Sequence, residues 1–325
     1  MDIPSVLVLV VAAILDFVVG DPWSWPHPVQ GMGWCISRYS TLALDRIKSP
    51  LGLRLAGVGL AIALILGSGL VGWGAIALMT WMHPLLGMST HILLLASCFA
   101  GRSLRDAAED VLAPLTNGDL PAAQTRLSRY VGRDTQTLDQ PEILRAVFET
   151  VGENGVDGVM APLFYALVGV LTPIGSAPVA LAYKAASTLD SMVGYKEAPY
   201  RNLGWCSANL EDVLTWVPCR LTVLTLAVLC RRPLHVLQIC QRDAAADPSP
   251  NSGWSECAYA ASLGVQVGGT NTYKGVVKHK PLMGDGDRPI TVKIIRQGLT
   301  LNRICFLLWL LLGLGLQSWL LWAWA

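Results

Sequence analysis

Residues 55–82 read LAGVGLAIALILGSGLVGWGAIALMTWM, from Leu55 to Met82, with no ionisable side chain among them. At about 1.5 Å of rise per residue, a helix of this length exceeds the ~30 Å hydrocarbon core of a bilayer. The stretch reads as a membrane span. A second uncharged run closes the chain: Arg303 is the last charge, and Ile304 to Ala325 carries Trp309, Trp319, Trp322 and Trp324, a residue type suited to the membrane interface. A buried core helix of a soluble protein can also be apolar all round, but two uncharged runs of this length argue against that reading. Composition agrees, with 53% hydrophobic and only 14% charged residues, well off the soluble average.

Outward from these two runs, four more segments qualify as spans: 3–19, 84–101, and the proline-interrupted 159–183 and 213–230. The expected fold is an all-α, polytopic membrane helix bundle of four to six segments, a single membrane-embedded domain over 1–325. Its polar loops, 102–158 and 231–303, are expected to be helical and irregular respectively. In the first, helices are expected from Ser103, from Leu120 with Pro121 in its first turn, and over Pro141 to Val151 after Asp139 as N-cap. Residues 3–19 lack a basic start and a small-x-small cleavage site, so they read as a retained helix. If all six segments span, 20 Lys and Arg lie on one side and three on the other, which makes the richer side cytoplasmic. That arrangement puts 183–212 outside; if a proline-interrupted segment does not span, the loop returns to the cytoplasmic face. The eight cysteines contain no CxxC pair, so neither a disulfide framework nor a zinc site is indicated. A net charge of +1 and the lack of a basic stripe interleaved with aromatics give no sign of a nucleic-acid partner.

Four polar clusters carry candidate chemistry. Asp16 lies inside an apolar run, where an ionisable group needs a cavity or a partner; Asp21-Pro22 and His27 follow at the mouth of that helix, where a terminating turn and a solvated imidazole are the bland alternatives. Asp16 and Asp21 suit magnesium or a cationic substrate group. Glu153 and Asp157 precede an apolar run, where capping a helix N-terminus competes with catalysis. Lys184, Asp190, Ser191, Tyr195 and Lys196 crowd the third cluster, with lysines suited to phosphate and Asp190 to a metal that bridges phosphates. The fourth contains Asn251 and Gly253, then Gly268-Gly269-Thr270-Asn271 and Lys280 to Gly286, glycines that let a backbone approach a ligand. No GxxxxGK[ST] loop and no GxSxG elbow occur, so any ATP binds without a P-loop.

In this order, Leu15-Asp16 to Gly20-Asp21-Pro22 with Pro26-His27-Pro28-Val29, Glu153-Asn154 with Asp157-Gly158, Thr188-Leu189-Asp190-Ser191-Met192-Val193-Gly194-Tyr195-Lys196, Ser249-Pro250-Asn251-Ser252-Gly253-Trp254 and Lys280-Pro281 to Gly284-Asp285-Gly286 resemble the adenosylcobinamide-phosphate synthase family of cobalamin biosynthesis. The likeness covers nearly the whole chain. It departs at Ser187, Asn209 and Ser255, where the family pattern has Asn, Arg and Pro, which puts flanking contacts in doubt. The resemblance implies ATP-dependent joining of (R)-1-aminopropan-2-ol or its O-phosphate to a propionate of adenosylcobyric acid, with Mg²⁺ as the metal and the corrinoid as substrate. It implies a multi-pass protein of the plasma membrane, active on the cytoplasmic face, beside other cobalamin-assembly enzymes. On that reading Asp16, Asp21, His27, Glu153, Asp157 and Asp190 are catalytic, with Asp21 and Asp190 as metal ligands. Lys184, Ser191, Tyr195, Lys196, Asn251 and Gly253 bind substrate or phosphate. A transporter or a non-catalytic scaffold of corrinoid assembly is the alternative that broken helices and intramembrane Asp16 leave open.

Overall fold

The computed structural model describes residues 3–22 and 25–323. Trp324 lies outside them, as does the side chain of Trp322. The architecture is helical, with one two-stranded antiparallel sheet. Four stretches are long and apolar enough to cross a membrane, Pro50–Met82, Pro84–Thr116, Trp205–Leu229 and Val292–Gln317, and Ser5–Val18 is a shorter apolar helix. The segment 159–183 is not one helix. Thr172, Pro173 and Gly175 interrupt it: proline cannot donate to the ladder, and Gly175 takes φ +96°, so a new helix starts at Ser176.

The chain divides into two compact units. The first comprises 1–100, 161–215 and 308–325, the second 101–160 and 216–307. The first holds α1 (Ile3–Val18), α2 (Pro28–Arg46), α3 (Pro50–Met82) and α4 (Pro84–Ala96). The second holds α5 (Gly101–Thr116), α6 (Leu120–Leu127) and α7 (Gln140–Asn154), which runs into a π-turn at Gly155–Met160. The first unit resumes with α8 (Ala161–Val170), α9 (Ser176–Val193) and the start of α10 (Trp205–Leu229); the second continues with the rest of α10, α11 (Pro233–Asp243), α12 (Ser252–Leu263), β1 (Val267–Tyr273), β2 (Val276–Met283) and the first part of α13 (Val292–Ala323).

In the first unit α9 packs against α2, α3, α4 and α8. It can do so because Leu189 and Val193 meet Ile36, Leu60 and Ala61 in one buried cluster, with Met192 against its edge. The opposite surface of α3 presents Ile62, Leu66, Leu70, Val71 and Trp81 outward. In water that surface would be an aggregation site; in lipid it is solvated. The central helix is therefore the one that carries Lys184, Asp190 and Ser191.

The second unit is built on α7. Its start is fixed by a capping box, with Glu142 N donating to Asp139 Oδ1 at 2.9 Å and Asp139 N donating to Glu142 Oε2 at 3.2 Å, two orphan amides satisfied reciprocally. Ile143, Val147, Phe148 and Val151 are buried, and α5, α6 and α12 pack on α7. The 231–303 segment is far more ordered than its turn-rich composition suggests. It holds α11, α12, a hairpin and the start of α13. The hairpin turns at Lys274 (φ +50°) and Gly275 (φ +78°), both left-handed, which is the type I′ geometry that matches strand twist.

Candidate functional site

The first unit holds the sequence clusters around Asp21 and Lys184. Asp16 is buried in α1, 7% exposed. Beyond the helix, Asp21 accepts a hydrogen bond from His27 Nε2 at 3.1 Å, while His27 Nδ1 accepts the Val29 N–H at 3.2 Å and caps α2. With Nδ1 so occupied, the neutral ring carries its proton on Nε2 and presents it to the carboxylate. His27 is therefore held between Asp21 and the start of α2 and is not a loose loop imidazole. Asp21, in the turn after α1, and Lys184 of α9 both act electrostatically on the buried Cys98 just after α4.

Further along α9, Thr188 Oγ1 donates to Lys184 O at 2.7 Å and Ser191 Oγ to Thr188 O at 2.9 Å. Tyr195 OH donates to Ser191 O at 3.0 Å, so Tyr195 folds back over the helix end while its ring stays 54% exposed. Asp190 O accepts from Gly194 N at 2.7 Å, closing the helix. Lys196 acts on Asp212 of α10. Inside the same unit, Tyr183 and Tyr165 stack at 4.8 Å, Tyr183 OH shares a hydrogen bond with Thr215 Oγ1 at 2.8 Å, and Thr215 donates to the buried Glu211.

The second unit holds a larger ionic cluster. Glu149, 7% exposed at its side chain, accepts from Arg133 Nη2, from Arg145 Nη1 at 3.4 Å and from Gly268 N at 2.9 Å. Arg145 also donates to Gly268 O, to Thr270 O at 3.0 Å and to Asn271 Oδ1 at 3.2 Å, and Arg133 donates to Asn271 Oδ1. These bonds pin β1 to α7. Gly268 is φ +89°, and a Cβ there would lie 1.9 Å from Pro281 O, so only glycine fits the irregularity between Val267 and Gly269. The register sets Lys280 opposite Gly269. From there Lys280 Nζ reaches Glu256 Oε1 at 2.6 Å and stands 3.7 Å from Asp247 Oδ2.

Burial raises the Glu256 carboxyl well above the usual carboxylate range against the pull of Lys280, and Glu153 and Glu149 push it further. Burial would lower the Lys280 ammonium, but Glu256, Asp247 and Glu149 together hold it above its ordinary value. Burial likewise raises Glu153, with Asp247 and Glu149 adding to it and Lys280 and Arg133 opposing. Glu153 nonetheless retains exposed surface.

Glu153 lies in the last turn of α7 and Asp157 in the π-turn. Neither sits at a helix N-terminus, so the expected capping alternative is removed for both: the helix runs on through them. The π-turn is held by Asn302, whose Nδ2 donates to Gly155 O at 2.9 Å and to Tyr259 OH at 2.8 Å. That side chain satisfies a carbonyl at a point where the i→i−4 ladder is interrupted. Asp157 and Arg220 both act on Cys219 of α10. Asn251 is 3% exposed and its carbonyl accepts from Cys219 Sγ at 3.3 Å. Gly253 packs against Asp247, with a would-be Cβ 2.5 Å from the Asp247 Cβ, so its lack of a side chain serves the entry into α12.

Sequence reasoning missed Glu149, Arg133, Arg145, Glu256 and Asn302. Among the described residues no three His, Cys, Asp or Glu side chains are grouped to hold a metal ion. Asp21 and Asp190 are not assembled into a protein-only metal site.

Fold and site define a polytopic helical membrane protein with ionic clusters built by its non-spanning segments. The family model described as CobD/Cbib protein matches residues 9–302, and the chain belongs to that family. It is 52% identical over 311 residues to the cobalamin biosynthesis protein CobD of Synechocystis sp., covering 95% of this chain and 91% of that protein. Identity is 41% over 320 residues to the cobalamin biosynthesis protein CbiB of Salmonella arizonae, with 97% and 98% covered. It is 44% over 301 residues to the CobD protein of Halalkalibacterium halodurans, with 91% of each covered. No solved structure matches.

Proposed function

We propose that this protein acts in cobalamin biosynthesis and forms an amide there with ATP, joining (R)-1-aminopropan-2-ol or its O-phosphate to a propionate of adenosylcobyric acid. The role in cobalamin biosynthesis rests on the family and on the names of its relatives. The observation that supports the chemical reading is the hydrogen bond by which His27 holds Asp21, with Lys184 among the charges that act on the same cysteine, Cys98, as Asp21. A lysine suits a phosphate as a point charge, and a carboxylate beside it suits the magnesium that accompanies the phosphate. Mg²⁺ bound there supplies neutralisation of phosphoryl charge.

A carboxylate is a poor electrophile, which is why the reaction consumes ATP. The propionate oxygen attacks the γ-phosphorus, forming an acyl phosphate as ADP leaves. The amine nitrogen then attacks the acyl carbon; the C–N bond forms, the C–O bond to phosphate breaks and phosphate departs. The incoming ammonium gives up one proton before attack and a second as the adduct collapses. Lys184 and Lys196 are assigned to phosphate charge, Asp21 to metal, Asp190 to metal or proton transfer, and Asp16, Glu153 and Asp157 to amine or metal. Ser191, Tyr195 and Asn251 are assigned to substrate contacts. The active face is assigned to the cytoplasmic side of the plasma membrane, where ATP is found.

Detergent-purified protein given ATP, adenosylcobyric acid and each amine in turn is expected to yield amide, ADP and phosphate in equal amounts by mass spectrometry. D21A and K184A are expected to lower the rate at least about 100-fold, the scale of a lost charge-stabilising group. Wild-type protein that makes no amide, or an unaffected D21A, sinks the reading. Topology gives a separate check: a cysteine placed at Ser191 is expected to react with membrane-impermeant maleimide only from the cytoplasmic side. Labelling from outside would remove α9 from any nucleotide site.

A further inference from the structure

The helices α7 and α12 cross so closely at Gly152 that a Cβ there would lie 3.1 Å from Glu256 Cα and 3.4 Å from its Cγ. The Glu256 side chain therefore runs against α7 one residue before Glu153, and the Glu153 carboxylate acts on that of Glu256. Around this crossing stand four carboxylates, Glu149, Glu153, Asp247 and Glu256, and three cations. Two of those cations, Arg133 and Arg145, are engaged by Glu149, Asn271 and the β1 backbone. Lys280 is left to serve Glu256 and Asp247, with Glu153 acting on it as well. Glu256 and Asp247 share that one ammonium, and Glu153 draws on it and on Arg133.

The deficit shows in the hydrogen bonding. Glu256 is 1% exposed at its side chain, and its Oε2 has no hydrogen-bond donor among the described residues; the same holds for Asp247 Oδ2, at 4%. A buried carboxylate oxygen without a donor is costly. Its natural complement carries positive charge, brings several N–H donors and is small enough to enter beside Glu153. A primary ammonium fits on all three counts, and Lys280 Nζ, 2.6 Å from Glu256 Oε1, shows that this cluster accommodates one.

We infer that Glu153, Glu256 and Asp247 form the subsite that receives the primary ammonium group of the amine substrate, with Glu153 at the entrance. This rests on the amide-forming reading for the identity of the amine, not for the existence of the subsite. Glu256 and Asp247 are binding residues, and Lys280 positions them. Because burial raises Glu153 and Glu256, amine binding weakens as pH falls through a range above that of an ordinary glutamate, when the carboxylates take up protons instead.

The test is equilibrium binding of labelled (R)-1-aminopropan-2-ol to the full chain in detergent. Wild-type protein is expected to bind it, with propylamine competing and propan-2-ol, which lacks the ammonium, not competing. E153Q and E256Q are expected to weaken binding about 10- to 100-fold, the worth of a hydrogen bond to a charged group. Glu153 is accessible, so E153Q decides the matter even if E256Q does not fold. Wild-type protein that binds no amine, competition by propan-2-ol equal to that of propylamine, or unchanged affinity in E153Q overturns the inference. Amide formation is scored separately. Amide made by a wild-type enzyme whose E153Q variant binds amine normally overturns the subsite and keeps the function; Glu153-dependent binding without amide formation does the reverse.

Discussion

Glu149→Gln isolates the anchor on which the hairpin depends. The substitution keeps the shape of the side chain and an oxygen to accept from Gly268 N, but it removes the charge between Arg133 and Arg145. Both arginines are well buried, at 6% and 14% side-chain exposure. Deleting one member of a buried ion pair costs about 3–5 kcal/mol because the partner charge is left behind. Retained hydrogen bonds place Gln at the low end, about 3 kcal/mol. For a body of about 150 residues, each kcal/mol shifts the midpoint by about 2–4 °C, giving a loss of about 6–12 °C. Thermal unfolding in detergent followed by intrinsic fluorescence measures the total. Hydrogen exchange locates it: amides of β1 are expected to lose protection while those of α3 keep theirs. A variant that melts with wild type and protects its β1 amides equally would refute the claim that buried charge holds the hairpin.

Lys280→Met leaves Glu256 and Asp247 without their cation. The folded-state pKa of Glu256, already raised above its unfolded value, then rises further, so the folded state binds the proton more tightly. The variant is expected to gain stability as pH falls from 8 towards 5 relative to wild type, read from melting midpoints across that range; a parallel pH dependence would count against it. Asn302→Leu strands Gly155 O at the π-turn at a cost of about 1–3 kcal/mol. It is expected to lower both the melting midpoint and amide formation, while Asn302→Gln restores part of each; equal behaviour of the two variants would count against the carbonyl bond.

The spans were legible because a bilayer imposes a length and a chemistry that contiguity alone reveals: Leu55 to Met82 is sufficient evidence for α3. Local hydrogen bonding was legible too, since Asp139 and Glu142 form their capping box within one turn. The break in 159–183 was visible as Pro173 in a proline-interrupted run, and two helices flank it. What escaped was everything assembled across distance. Glu149, Glu256 and Lys280 come from two helices and a strand, and no spacing rule joins them. The hairpin itself left a signal, the Lys274-Gly275 turn between valine- and threonine-bearing strands, which the abundance of glycine masked. Glu153 and Asp157 were given a helix start because polar residues before an apolar run usually mark one; a continuous helix through a π-turn has no periodic signature at that point.

The unbroken apolar run of α3 extends over about 42 Å at 1.5 Å per residue, some 12 Å more than the hydrocarbon thickness of an average bilayer. Such a surplus is absorbed by leaning, by local thickening or by sinking the ends into the headgroup zone. The choice is not private to α3. At Gly57 the helix lies directly on the segment after α9, so close that a Cβ would stand 1.9 Å from Leu203 O. Any lean of α3 therefore carries with it the stretch that bears Lys196. In a thinner bilayer the helix leans further, and the depth of that lysine relative to the lipid surface becomes a function of the lipids in which the protein sits.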